Sequence, residues 1–363
     1  MRFGMAKDIK RSDYKKISIS AWEKGVIWLN IIMVKKTYSN RESYRNLVVT
    51  LADKSFIQQA KQLFSSVYWN AGWRGDYMLL SHQIPENELK WFREKGILIK
   101  ECEPLIDLPT GENNYPPVVY DKLYLFTAEF KKWDCVVFFD SDIIIKSSIE
   151  SLTNIKTFGA ICDVGKKNLK EQFYQSKGVF NNKYYNLKKL SFNSGVMAFK
   201  TDLINDKLLS ELKCLIINHY SEFRFADQAV LNLCFYKKWE NLSPIYNVYI
   251  DKYNYNLPNY SKYAAIHFFS NVGYPPVWTN ENPYYNEWKS NLEKAEYIDL
   301  HKIVQKKEWN RLKILFYTLL LKTINPYNNI KAFINNVLGK CGKWLKQKHP
   351  AIYFKLKSQR NGK

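Results

Sequence analysis

An apolar run that stops on two carboxylates constrains this chain more than any other feature. Residues 135–139 (CVVFF) lead into Asp140, Ser141 and Asp142, and three isoleucines follow at once. A continuous apolar stretch of that length fits a strand buried on both faces, as in a parallel sheet. Two carboxylates one residue apart at its end would repel each other and lose hydration unless a cation sat between them. A plain turn is the competing reading, because Asp and Ser terminate strands routinely.

The upstream sequence places that strand in a wound α/β domain. Residues 47–51 form an apolar strand, and Ile57, Ala60, Phe64 and Val67 then recur on one face of a helix. A short strand at 77–80, a helix over 86–94 stopped by Gly96, and a third strand at 97–100 continue the alternation. Such alternation predicts a largely parallel sheet. A loop rich in Pro, Gly and Asn occupies 104–118, after which Leu123, Phe126 and Phe130 at helical spacing lead into the strand ending at Asp140. The aspartates therefore lie at the carboxyl end of a central strand. That edge is where open α/β sheets bind ligands, which favours the cation reading. The stretch "TFGAICDVG" ends on Asp163 in the same manner, and the polar residues 166–189 read as a loop or lid.

Charge divides the chain into three. Residues 1–45 hold eleven Lys/Arg against four Asp/Glu, residues 301–363 hold fifteen against one, and the intervening 46–300 holds 29 of each. A neutral middle argues against a nucleic-acid binder, whose basic surface would surround its reading site. The expected organisation is a basic extension (1–45), one catalytic domain (46–300) and a basic, aromatic, amphipathic region (301–363). In the last, residues 314–321 are the longest largely apolar piece, too short to span a bilayer, which needs about 20 residues. Lysines mixed with Trp309, Phe316 and Tyr317 fit docking on an anionic membrane surface, with a helical cap on the domain as the bland alternative. Six scattered cysteines show no zinc or disulfide spacing, and no signal-peptide core precedes a cleavage site, so a cytoplasmic enzyme at the inner face of the membrane is expected.

Three later stretches carry chemistry. "LSFNSGVMAF" places Asn193, Ser194 and Gly195 ahead of an apolar strand, "FRFADQAVLN" opens a helical run on Asp227 and Gln228, and "AAIHFF" ends a short strand on His267. Each alone fits a structural role: a turn, a helix N-cap, a core histidine. In series with "VVTLAD", Lys122 and "FFDSD", they make the stretch from Asn46 to Trp278 resemble glycosyltransferase family 8, which includes glycogenin and the bacterial lipooligosaccharide galactosyltransferases.

The resemblance implies a GT-A fold, a Rossmann-like α/β architecture with a mixed, mostly parallel central sheet flanked by helices, here with a helical basic C-terminal appendage. It implies transfer of a hexose from a UDP-sugar to a saccharide, with Mn²⁺ or Mg²⁺ held by Asp140, Asp142 and His267. Two carboxylates and an imidazole suit such a cation, which stabilises charge on the departing diphosphate. By position in the family pattern, Thr50, Leu51 and Ala52 meet the base and ribose, Phe56 stacks, Lys122 approaches the phosphates or sugar, and Ser141 touches the ribose. Asp163, Asn193, Ser194 and Gly195 surround the transferred sugar, with Asp227 and Gln228 as the catalytic pair. Retention by front-face attack is the expected course; an inverting enzyme with an Asp base, or a silent sugar-binding protein, are the alternatives. The basic tail points to a lipid-linked acceptor of the lipopolysaccharide type. One departure stands out: the family's HFxGxxKPW closes here as "HFFSNVGYPPVW", with Ser270 for Gly and no lysine before the prolines, which leaves the metal, Lys122 or a lysine elsewhere such as Lys262 to anchor phosphate.

Overall fold

The alternation read from the sequence closes into two sheets. The computed structural model describes residues 45–108, 115–163, 168–174, 179, 183–250, 263–268, 275–321, 346–347 and 349. The extension 1–44, Lys262, Ser270 and almost all of 322–363 lie outside the described residues. Among the described residues ten strands run in chain order: β1 (Asn46–Asp53), β2 (Asp76–His82), β3 (Leu98–Glu101), β4 (Cys135–Phe139), β5 (Ile143–Ile145), β6 (Phe158–Cys162), β7 (Phe192–Lys200), β8 (Glu240–Asn241), β9 (Val248–Ile250) and β10 (Ala265–Phe268). Seven of them form the main sheet in the order β3-β2-β1-β4-β7-β6-β8, and β5-β10-β9 form a second.

In the main sheet β7 runs antiparallel to both neighbours while the remaining pairs are parallel. Strand order reverses between β1 and β4, so a crevice opens at their carboxyl ends, the topological switch point of a wound sheet. Leu47, Val48 and Val49 of β1 and every residue of β4 are fully buried. Each such side chain contributes about 1.5–3 kcal/mol, which is why these two strands carry uninterrupted apolar runs.

Helices α1 (Ile57–Ser66), α2 (Glu86–Glu94), α3 (Asp206–His219), α4 (Ala226–Cys234) and α5 (Tyr285–Ala295) flank the sheets. Helix α1 packs on α5, and α3 packs on α4, which lies against β7. Asn205 caps α3 by accepting from the Leu208 amide. Helix α1 and the π-helical turn after it (Val67–Ala71) also secure the small sheet, since Ser66 Oγ accepts from the Ile145 amide and Asn70 Nδ2 donates to the Ile145 carbonyl.

Two local expectations change form. The spacing of Leu123, Phe126 and Phe130 belongs to two 3₁₀ segments, Pro117–Phe126 and Ala128–Lys132, separated by Thr127 in extended conformation at φ −83° and ψ 155°. Asn193, Ser194 and Gly195 lie inside β7 rather than ahead of it, next to a register shift where Ala160 pairs with Met197 but Ile161 pairs with Asn193. Polar residues in a strand look like a turn until their buried partners are known.

Candidate active site

The turn between β4 and β5 carries Asp140, Ser141 and Asp142 from the main sheet into the small one. The Asp140 amide donates to the Gly195 carbonyl of β7, and the Phe268 amide of β10 donates to the Asp142 carbonyl. Antiparallel pairing sets His267 opposite Ile143, the residue after Asp142. Side chains far apart in sequence are thus brought together: His267 Nε2 lies 3.1 Å from Asp142 Oδ1 and 3.9 Å from Asp140 Oδ2. One ligand atom from each of the three falls within 4.8 Å of the others.

The imidazole is held in one orientation. Its Nδ1 lies 2.9 Å from Asn247 Oδ1, which fixes that nitrogen as the donor and turns Nε2 toward the aspartates. Tyr249 stacks on the ring at 5.2 Å and 28°. Burial pushes the Tyr249 phenol pKa well up, and the nearby Asp163, Asp140 and Asp142 carboxylates add to it, so a neutral face lies against the imidazole. Burial alone would lower the His267 pKa, but the Asp142 and Asp140 carboxylates outweigh it and raise the value above the ordinary histidine range.

Gly195 makes the approach of β7 to these groups feasible. A Cβ there would sit 2.4 Å from His267 Cε1, 2.7 Å from Asp140 Oδ2 and 2.9 Å from Asn193 Oδ1. Two carboxylates, a neutral-capable imidazole with its second nitrogen fixed, and a glycine-cleared approach fit a divalent cation such as Mn²⁺ or Mg²⁺.

A charged layer adjoins the cluster. The buried Lys122 Nζ lies 2.9 Å from Asp140 Oδ1 and 2.7 Å from Asp227 Oδ2, and Ser194 Oγ donates to that same Asp227 oxygen at 2.7 Å. Burial opposes the Lys122 charge, yet the two carboxylates raise its pKa and keep the ammonium protonated. Beside Asp227, Gln228 is a hub: its Oε1 accepts from Asn193 Nδ2 and the Ser194 amide, and its Nε2 donates to Asp163 Oδ2 and Gln172 Oε1, all between 2.7 and 3.1 Å. Both donors and both lone pairs of the amide are engaged by protein. Ala226, which precedes Asp227, has a positive φ of 21°, a strained value for a non-glycine residue at the start of α4.

The metal, sugar and catalytic sets expected from the sequence thus meet at one place. Of the nucleotide set, Lys122 and Ser141 join them, while Thr50, Leu51, Ala52 and Phe56 lie on and just after the carboxyl end of β1. Thr50 is fully buried and donates its hydroxyl to the Phe139 carbonyl at 2.8 Å, tying β1 to the end of β4. Phe56 meets Trp278 edge to face at 5.8 Å. Sequence reasoning missed Asn247, Tyr249 and Gln172. The first two flank Val248 at the start of a three-residue strand and the third sits in a short 3₁₀ turn, where no periodicity or motif marks a functional position.

Comparisons with known proteins bear on the fold that carries this site. A family model described as "Glycosyl transferase family 8" matches residues 47–274. The glycosyltransferase GlyB of Streptococcus pneumoniae serotype 4 (strain ATCC BAA-334 / TIGR4) is 24% identical over 122 residues, 34% of this chain and 26% of GlyB. The aligned part spans about a quarter of that relative. Among solved structures, the bifunctional glycosyltransferase WbbM in its apo form superposes with a TM-score of 0.54 at 16% identity, covering 72% of this chain and 53% of WbbM. The galactosyltransferase LgtC in complex with donor and acceptor sugar analogues gives 0.52 at 14% identity, covering 74% of this chain and 99% of LgtC. These likenesses establish the fold.

Proposed function

Since the chain belongs to glycosyl transferase family 8, we propose that it moves a hexose from a UDP-sugar to a saccharide acceptor in a reaction that needs a divalent cation, with retention of anomeric configuration. The observation that carries this reading is the joint approach of Asp140, Asp142 and His267, with Lys122 and Asp227 alongside, at the switch point of the sheet.

Asp140, Asp142 and His267 would hold the cation, which when bound supplies Lewis-acid stabilisation of the diphosphate leaving group. Lys122 adds a fixed positive charge next to the same region, and its raised pKa keeps that charge across the neutral range. The acceptor hydroxyl forms the new C1–O bond as the bond from C1 to the phosphate oxygen breaks, and its proton passes to the departing diphosphate. Asp227 stabilises positive charge developing at the anomeric carbon; with one oxygen already shared by Lys122 and Ser194, it suits that task better than nucleophilic attack. Gln228, saturated by protein partners, acts as a positioning residue that holds Asp163, Asn193 and Ser194 toward the sugar. Residues at the end of β1 with Phe56 and Ser141 receive the nucleoside. The basic, aromatic C-terminal region favours a lipid-linked glycan of the lipopolysaccharide type as acceptor.

The test is calorimetric titration of UDP with and without Mn²⁺, then screening of UDP-sugars for metal-dependent hydrolysis with NMR of the released anomer. Metal-dependent UDP affinity and release of a sugar with the donor's configuration are expected. UDP binding indifferent to metal would refute the cation reading, and an inverted anomer would refute retention.

A further inference from the structure

Beyond 300 the chain runs along the domain and then turns into a helix over 311–321. The first part is fastened at Tyr68, whose hydroxyl donates to the Asp299 and Lys302 carbonyls, and at Gly72, where any Cβ would strike the Val304 carbonyl at 2.4 Å. The helix itself has two apolar faces. Ile314 and Tyr317 pack against the core, Leu321 is buried, and Thr318 hydrogen-bonds Ser243. The opposite face presents Leu312, Leu315, Phe316 and Leu319, with relative exposures of 76, 54, 61 and 53%.

Four large apolar side chains at positions i, i+3, i+4 and i+7 form one continuous stripe, the pattern of a face that expects a partner. We propose that this stripe docks the protein on the headgroup region of an anionic membrane, lying in the interface without crossing it. No helix among the described residues is long and apolar enough to span a bilayer.

Charge chooses this occupant. Exposed Arg311 and Lys313 flank the stripe by their positions on the helix, exposed Lys306 and Lys307 precede it in the chain, and Lys313 rests over the Trp309 ring at 4.2 Å. The single acid of residues 301–363, Glu308, is already paired with Arg74 at 3.1 Å. An apolar stripe edged by unopposed cations matches acyl chains below and lipid phosphates around them. A second copy of this chain would bring the same cations face to face. Because the inward face is pinned to the domain, docking would also fix the orientation of the catalytic crevice relative to the bilayer. The inference stands apart from the catalytic reading, since none of these residues belongs to the site.

The experiment is co-sedimentation of the full chain with phosphatidylcholine vesicles and with vesicles enriched in phosphatidylglycerol, at low and high salt. Binding to the anionic vesicles that weakens with salt is expected, and Leu315→Gln with Phe316→Gln should reduce it by at least about tenfold. Leu312→Gln with Leu319→Gln, a second pair on the same face, should do likewise. All four positions are more than half exposed, so UDP and Mn²⁺ affinities should stay at wild-type values. Unchanged partitioning of both variants, or equal binding to neutral vesicles, overturns the proposal. So does a wild-type dimer in light scattering that the substitutions dissociate, which would make a second copy the occupant.

Discussion

Gly195→Ala is the most informative single substitution. The added methyl would lie 2.4 Å from His267 Cε1 and 2.7 Å from Asp140 Oδ2, against ordinary carbon contacts of about 3.5–4.0 Å. Something must retreat by about 1 Å, and the choices are few. Strand β7 is held by the bond from the Asp140 amide to the Gly195 carbonyl and by that from the Gly195 amide to Asn193 Oδ1. The imidazole is 3% exposed, stacked on Tyr249 and bonded to Asn247. Asp140, with 28% side-chain exposure, is the least enclosed of these groups and the one expected to yield, against its ion pair with Lys122. Overpacking of this kind costs about 1–3 kcal/mol of stability. A ligand displaced by that much falls well outside the tolerance of about 0.2 Å for metal sites, so Mn²⁺ affinity should drop by about 10–100-fold or more. Isothermal titration of Mn²⁺ in the presence of UDP measures the affinity, and urea unfolding measures the stability. A Gly195→Ala protein that binds Mn²⁺ as tightly as wild type would refute the assignment of these side chains as metal ligands.

Three further outcomes follow from the same geometry. Asn247→Ala frees the His267 ring and should weaken Mn²⁺ binding by about 10–100-fold while the sheet persists by circular dichroism; wild-type affinity would show that Asn247 orients nothing. Lys122→Met leaves Asp140 and Asp227 facing each other and should cost about 3–5 kcal/mol in urea unfolding, partly restored by adding Asp227→Asn; additive losses would contradict a shared charge cluster. In the metal-free protein the raised His267 pKa means that pairing with Asp142 and Asp140 adds stability fully present below the unfolded-state value of about 6.5 and lost as pH rises through the higher folded value. Cation binding needs the neutral ring, so Mn²⁺ affinity should rise over that same window and then level off; affinity flat in pH would exclude the imidazole as a ligand.

What the sequence disclosed follows the physics of each element. Strands such as β4 are buried on both faces, so their runs are legible without a partner, and the helix read over 86–94 is α2 with the same bounds. Strand order is a property of pairing, and nothing in "FNSGVMAFK" signals that β7 inserts antiparallel between β4 and β6. The aspartates of the candidate cation site were legible because carboxylates at a strand end are costly without a reason, whereas His267 was marked only by the family resemblance. Asn247 and Gln172 were not, because a buried amide satisfied by other amides has the same sequence appearance as any loop polar residue.

The reach from Asp140 to His267 explains why this site belongs to the scaffold. Its ligands straddle a seam between two sheets, so any slippage of β5 and β10 against the main sheet would pull His267 from Asp140. The seam is closed on one side by the backbone bonds of the DSD turn to β7 and β10, and on the other by Ser66 of α1 and Asn70 of the π-helical turn that follows it (Val67–Ala71), which satisfy both backbone groups of Ile145. Leaving those buried groups unpaired would cost about 1–3 kcal/mol each, which opposes slippage of one sheet past the other. A binding cation then finds its side chains already converged, with little ordering entropy left to oppose it. The same rigidity makes a single methyl at Gly195 hard to absorb.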